Sequence, residues 1–223
     1  MGTDAPMATA TEPQILTLAQ WLSPAYPVGA FAYAHGLEAA ADQGWVTDGA
    51  SLERWLEDVL NHGVGRSDAL LLAAAWRAND PKDLSDIDAT ARALAASKER
   101  LLETTQQGNS FAAVTQVIWG EDLGGLTYPV ALGAAAAREG LPLSLTQTMY
   151  LQAFVSNLIA AGQRLLPVGQ TEGQAILYRL CARLPSIAAE TSDGDLTRLS
   201  ATAFLTDISS MKHETQYARI FRT

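Results

Sequence analysis

The chain has 223 residues, and 24 acidic against 15 basic side chains leave a net charge of −9. That sign is wrong for wrapping nucleic acid. The length suits one core burying about 70 to 75% of the unfolded surface, and Ala and Leu outweigh aromatic and β-branched residues, so an all-α fold is expected over a sheet. Cys181 is the lone cysteine and no charged-then-apolar leader is seen, so a cytoplasmic location is expected, with no membrane contact.

In chain order, residues 1–12 read as a flexible N-terminal tail. Ile15, Leu16, Leu18, Ala19 and Leu22 share one face of a short helix that stops before Pro24. Residues 24–38 are dense in proline, glycine and aromatic rings, which predicts a shaped loop entering a helix. Leu52, Trp55, Leu56, Val59 and Leu60 form an apolar stripe opposite Glu53, Arg54, Glu57 and Asp58. The acidic side reads as a solvated face, or as a dock for a basic partner.

Ser67 or Asp68 is expected to cap the next helix, which is buried from Ala69 to Trp76. Asp80 caps another, with Pro81 at its first position and Leu84, Ile87, Ala91 and Leu94 facing the core. The long pattern from Ser97 to Trp119 carries Leu101, Leu102, Thr105, Phe111, Val114 and Ile118. Gly108 inside it predicts a close crossing or a kink. A short Ala-rich helix runs from Pro129 to Arg138.

The stretch from Ser144 to Tyr178 is the one the rest is expected to cover. Ser144 and Gln147 read as a capping box for a core helix that is apolar nearly all round. Leu166 to Gly169 break it, and a second helix starts at Gln170. Asn157, Gln163, Arg164, Gln170 and Gln174 are polar groups beside an apolar core, so they need partners within the chain or at a chain-chain contact. Leu196, Leu199, Ala203, Ile208 and Met211 are assigned to one face of the last long helix. The whole predicts a single-domain bundle of about eight to ten helices, spanning residues 13–211.

Chemistry is hard to place. Gly63 to Ser67 lacks the lysine of a phosphate-binding loop, and His35, His62 and His213 lie far apart without a cysteine pair. No catalytic, metal or cofactor site is assigned, and the chain is not read as an enzyme. The C-terminal residues 212–223 differ: Lys212, His213, Glu214, Gln216, Tyr217, Arg219, Phe221 and Arg222 mix cations with large rings in an otherwise acidic chain. That is the composition of a partner-binding tail.

Three stretches carry a resemblance. Leu22 to Glu38 with Gly44, Trp45 and Val46, then Gly162 to Gln174, then Ser210 to Arg222, resemble in order three signatures of the UreF-type urease accessory proteins. Ala30 and Ala32 stand where that family often has glycine and serine, and Val168 where it often has leucine. The resemblance implies an all-helical adaptor, commonly a homodimer. Its partners are a urease-contacting accessory protein (UreD/UreH type), a nickel-carrying GTPase (UreG type) and, through the complex, apo-urease. Alternatives are a GTPase activator or regulator using Arg66, Arg219 or Arg222, and a nickel-binding metallochaperone.

Overall fold

A computed structural model describes residues 10–120, 122–200 and 202–223. Residues 1–9 of the expected N-terminal tail lie outside them. Among the described residues there are eleven α-helices, two 3-10 turns and no strand. In order they are α1 (Glu12–Trp21), a turn at Ala30–Ala32, α2 (Leu37–Asp42), α3 (Gly49–His62), α4 (Val64–Arg77), α5 (Pro81–Ala93) and α6 (Lys98–Trp119). Then come α7 (Tyr128–Arg138), α8 (Leu143–Leu165), α9 (Gln170–Cys181), α10 (Leu184–Thr191), a turn at Leu196–Arg198 and α11 (Phe204–His213). The all-helical bundle expected from composition holds, and the short α2 and α10 bring the count to eleven.

The innermost pair is α4 and α7. Every residue of α7 from Tyr128 to Ala136 is buried, because its small side chains let α4 come close. A Cβ on Gly133 would run into the Leu72 carbonyl oxygen of α4. Gly108 does the same for α6: its missing side chain admits the backbone of Leu126 to Tyr128, and α6 continues without interruption. The glycine therefore marks a close crossing.

The long helix expected at the centre is α8, and it packs by Tyr150, Leu151, Val155, Leu158 and Ile159. The expected capping box does not form. Pro142 occupies the N-cap, and Gln147 is buried instead, donating to the Ala69 carbonyl and the Thr191 hydroxyl, both at 3.0 Å. An amide that can satisfy two deep acceptors gains more there than at an exposed helix end.

Asp68 also departs from expectation. Gly63 starts α4 five residues earlier, so Asp68 lies one turn inside the helix, where it is buried. On α1 the buried residues are Leu18 and Trp21, while Ile15 and Leu16 are exposed. Trp21 explains the rotation, since its ring meets Phe111 and Trp119 edge-on at 5.4 Å. Leu102 and Ile118 of α6 are exposed for the same reason: Glu103, Thr104, Gln107, Phe111 and Thr115 turn inward. The apolar stripes predicted for α3 and α5 are on their inner faces, and Asp80 caps α5 by accepting from the N–H groups of Lys82 and Asp83.

Candidate functional site

The three signature stretches, distant in sequence, meet at one end of the bundle. The first supplies a backbone with unusual angles: Gly29, His35 and Gly36 all have positive φ, and His35 at 51° is the one non-glycine residue so placed among the described residues. Gly36 must lack a side chain, because a Cβ would strike the Ser210 backbone nitrogen of α11 at 2.6 Å. Ser209 uses that proximity and donates to the Gly36 carbonyl at 2.6 Å.

The third stretch then folds back along the first. Arg222 donates its backbone N–H to the Ala32 carbonyl at 2.8 Å. Glu38 of α2 accepts the backbone N–H groups of Ile220 and Phe221 at 2.7 and 2.8 Å. The second stretch closes the arrangement, with the Arg164 guanidinium over the Phe221 ring at 4.5 Å.

Behind this junction lies a buried ionic cluster. Arg100 of α6 donates to Asp68 at 2.9 Å, and the Tyr150 hydroxyl donates to the same oxygen at 2.7 Å. His35 contacts Glu103 at 2.8 Å, and the Thr223 hydroxyl donates to Glu103 at 3.1 Å. Burial pushes the Asp68 carboxyl up, beyond what Arg100 and Tyr150 return. Burial acts on Glu103 in the same sense, yet the charges of His35 and Arg100 outweigh it and hold that carboxyl below its ordinary value. These ions satisfy one another. A cavity of about 330 Å³, walled by Trp21, Tyr26, Phe31, Tyr150 and Phe154, opens beside them.

The residues singled out from sequence divide clearly. In the C-terminal segment His213 and Phe221 are buried, Glu214 accepts from the Lys98 N–H, and Arg219 pairs with Glu99 at 2.5 Å. Lys212 and Arg222 are exposed, Gln216 is half-buried, and Tyr217 is fully exposed. Of the five polar groups near the core, Asn157 donates to the Ala30 and Tyr33 carbonyls, and Gln163 to that of Gly169. Arg164 stacks on Phe221, while Gln170 and Gln174 face solvent on α9. Among the arginines weighed for a GTPase role, Arg66 pairs with Glu190 and Arg219 with Glu99. Glu53 pairs with Arg179 of α9 and Glu57 with Arg183 at the start of α10, so much of the acidic face of α3 is engaged within the chain.

The least anticipated feature is α11. Its buried residues are Thr206, Ser209, Ser210 and His213, while Phe204, Leu205, Ile208 and Met211 point outward. Phe204 is 68% exposed and Met211 52%. The single face expected for Leu196, Leu199, Ala203, Ile208 and Met211 therefore does not form: α11 starts at Phe204, Ala203 before it is buried, and Ile208 and Met211 are exposed. The physical reason is the close approach at Gly36, which admits short hydroxyl side chains and excludes Leu-sized ones. Ser210 also shares a 2.6 Å hydrogen bond with Ser97. Tyr217 and Ile220, beyond the helix, are exposed as well. An exposed apolar helix face of this kind is a usual mark of a protein contact.

The family model for UreF matches residues 46–181. The chain belongs to the UreF family of urease accessory proteins. Its similarity to proteins named urease accessory protein UreF runs nearly end to end. The one from Ruegeria pomeroyi is 52% identical over 97% of this chain and 100% of its own length. That from Roseobacter denitrificans is 51% identical over 93% of each, and that from Methylorubrum populi 46% over 93% of this chain and 98% of its own. Among the described residues of this UreF-family chain, no three His, Cys, Asp or Glu side chains gather to hold a metal ion, and no helix is long and apolar enough to cross a membrane.

Sequence reasoning missed Glu38, Asp68, Glu99, Arg100 and Glu103. Glu38 stands within a signature stretch, so it was visible without its role. The reversal of α11 had a signal: Thr206, Ser209, Ser210 and His213 recur at spacings of three and four, as regularly as the apolar set opposite.

Proposed function

We propose that this chain is a non-catalytic adaptor in urease maturation. It bridges the urease-contacting accessory protein of the UreD/UreH type and the nickel-carrying GTPase of the UreG type, as a homodimer, so that nickel passes to apo-urease within the assembly. The single observation that carries this reading is the outward apolar face of α11, in a chain whose C-terminal residues Lys212, Tyr217, Ile220 and Arg222 are exposed as well. In a chain of net charge −9, that combination suits a partner surface with an apolar groove and acidic rim. The urease-contacting accessory protein is assigned to it. The family membership supports the rest.

The test is co-expression of all three proteins and capture through this chain, comparing wild type with the double variant Ile208→Asp, Met211→Asp. Both residues are exposed, so melting should be unchanged. The variant is expected to lose the urease-contacting partner. Capture of both partners at wild-type levels would sink the assignment. GTP turnover by the partner, with and without this chain, separates plain bridging from activation.

A further inference from the structure

Around the cavity of about 330 Å³ the aromatic rings support one another. Tyr128 and Tyr150 lie 5.9 Å apart between ring centres, and Tyr150 stacks on Phe154 at 6.4 Å. Trp21, Tyr26 and Tyr128 all lean on the buried Phe111 ring. A wall of interlocked rings does not fall into the space beside it, so the cavity exists before anything fills it. Pro24, Phe31 and Gln152 line it and are exposed, which places its mouth there.

Most buried polar groups on the wall are engaged. Tyr26 shares a hydrogen bond with Thr115, Tyr150 donates to Asp68, Arg100 is held by Asp68, and His35 contacts Glu103. The Trp21 indole N–H and the Thr104 hydroxyl lack partners, but neighbouring atoms cover them. Tyr128 and Gln107 differ. Tyr128 is 9% exposed, and its hydroxyl bonds no group among the described residues. Burial pushes that phenol up, so it keeps its proton. Gln107 is 7% exposed; its Nε2 donates to Glu103 at 3.0 Å, and its Oε1 accepts from no group among the described residues.

These features select an occupant. An apolar cavity of about 150 Å³ takes one benzene ring, so this one has room for about two. The ions beside it satisfy one another, and a charged occupant would give up its hydration without gaining a counter-ion. A hydroxyl group matches what is left unpartnered, since it can accept from a phenol O–H and donate to an amide oxygen.

We propose that the cavity is a binding site for a small, neutral, two-ring aromatic molecule that carries a hydroxyl group. Its rings lie against the aromatic wall, and its hydroxyl accepts from Tyr128. The mouth belongs to the first signature stretch, so an occupant packs against that loop. The site stands apart from α11 and does not depend on the docking proposed above.

Isothermal titration of the full chain at pH 7 with 2-naphthol and 2-naphthoate tests it; a phenol titrates near about 10 and is neutral there. 2-Naphthol should bind once per chain with a Kd below about 1 mM. The carboxylate should bind at least about tenfold more weakly. Tyr128→Phe should weaken 2-naphthol about fivefold, as one lost hydrogen bond requires, with melting unchanged because that hydroxyl holds nothing in the fold. Ile208→Asp with Met211→Asp should bind 2-naphthol as the wild type does, which separates the cavity from the exposed face of α11. No saturable binding, a carboxylate that binds as tightly as the alcohol, wild-type affinity in Tyr128→Phe, or loss of binding in the α11 variant would overturn the site. The first two outcomes are read on the wild-type chain and need no variant to fold.

Discussion

Asp68 of α4 and Arg100 of α6 meet at 2.9 Å in the buried centre of the bundle, and Tyr150 of α8 closes on the same carboxylate oxygen. The pair ties three helices together beneath the signature junction. Asp68→Asn leaves the buried guanidinium with Glu103 alone, at 3.7 Å. Breaking one side of such a pair costs about 3 kcal/mol. Tyr150→Phe removes one hydrogen bond to a charge and should cost about 1.5 to 2 kcal/mol. Because both changes act on one oxygen, the double variant should lose less than the sum. Urea unfolding at neutral pH checks all three.

Gly108→Ala is expected to be severe for its size. The added methyl would overlap the Leu126 carbonyl and the Thr127 and Tyr128 backbone, which cannot rotate aside as a side chain could. Overpacking against backbone should cost about 3 kcal/mol. Gly120→Ala is the control: its φ of 81° makes alanine strained, but nothing stands within 4 Å, and about 1 kcal/mol is expected. Thermal melts of the two variants should separate clearly.

Glu53 and Arg179 join α3 to α9 through two hydrogen bonds of 2.7 and 2.6 Å. Those bonds outweigh a smaller desolvation and hold the Glu53 carboxyl below its ordinary 4.5. A lowered carboxyl stabilises the fold above its unfolded value and loses that contribution as pH falls through its folded one. Glu53→Gln should therefore melt slightly below wild type at neutral pH. The gap should close as the pH is taken well under 4.5. Much of Arg179 is exposed, so added salt should shrink the gap as well.

Of the five polar residues proposed for a chain-chain contact, Asn157, Gln163 and Arg164 are engaged within the chain, and we propose that Gln170 and Gln174 carry the contact. Both face solvent on α9, so Gln170→Ala with Gln174→Ala should leave melting unchanged. Self-association measured by sedimentation should weaken about tenfold, or ~1.4 kcal/mol. Identical dimerisation of wild type and variant would remove these residues from the interface.

Cys181 should label slowly with thiol reagents. Burial pushes its thiol up from the ordinary 9.0, so less thiolate is present at neutral pH. Labelling should accelerate to the rate of a free thiol only in denaturant.

The fold was legible wherever one apolar stripe decides which way a helix turns. On α3 the spacing of Leu52, Trp55, Leu56, Val59 and Leu60 is enough, because nothing on the opposite side competes for burial. Asp80 with Pro81 declared the start of α5 equally plainly. Legibility failed where a polar side chain found a better partner inside. Asp68 and Gln147 both sit at positions that suit a cap, and both went inward because distant helices offered Arg100, Tyr150, Ala69 and Thr191. No local pattern contains those partners. The candidate site was legible as three stretches of residues but not as one place, since Glu38 and Phe221 lie 183 residues apart and Arg164 and that ring belong to separate stretches.

The reversed polarity of α11 has a consequence for the protein when its partners are scarce. The helix is seated by hydroxyl and imidazole hydrogen bonds, so its large apolar side chains contribute little to folding and remain free for another molecule. Such a strip does not discriminate well between its proper occupant and any other greasy surface. Unaccompanied copies should be prone to clumping, and the yield of soluble protein should rise when the cognate partner is made alongside in matching amount.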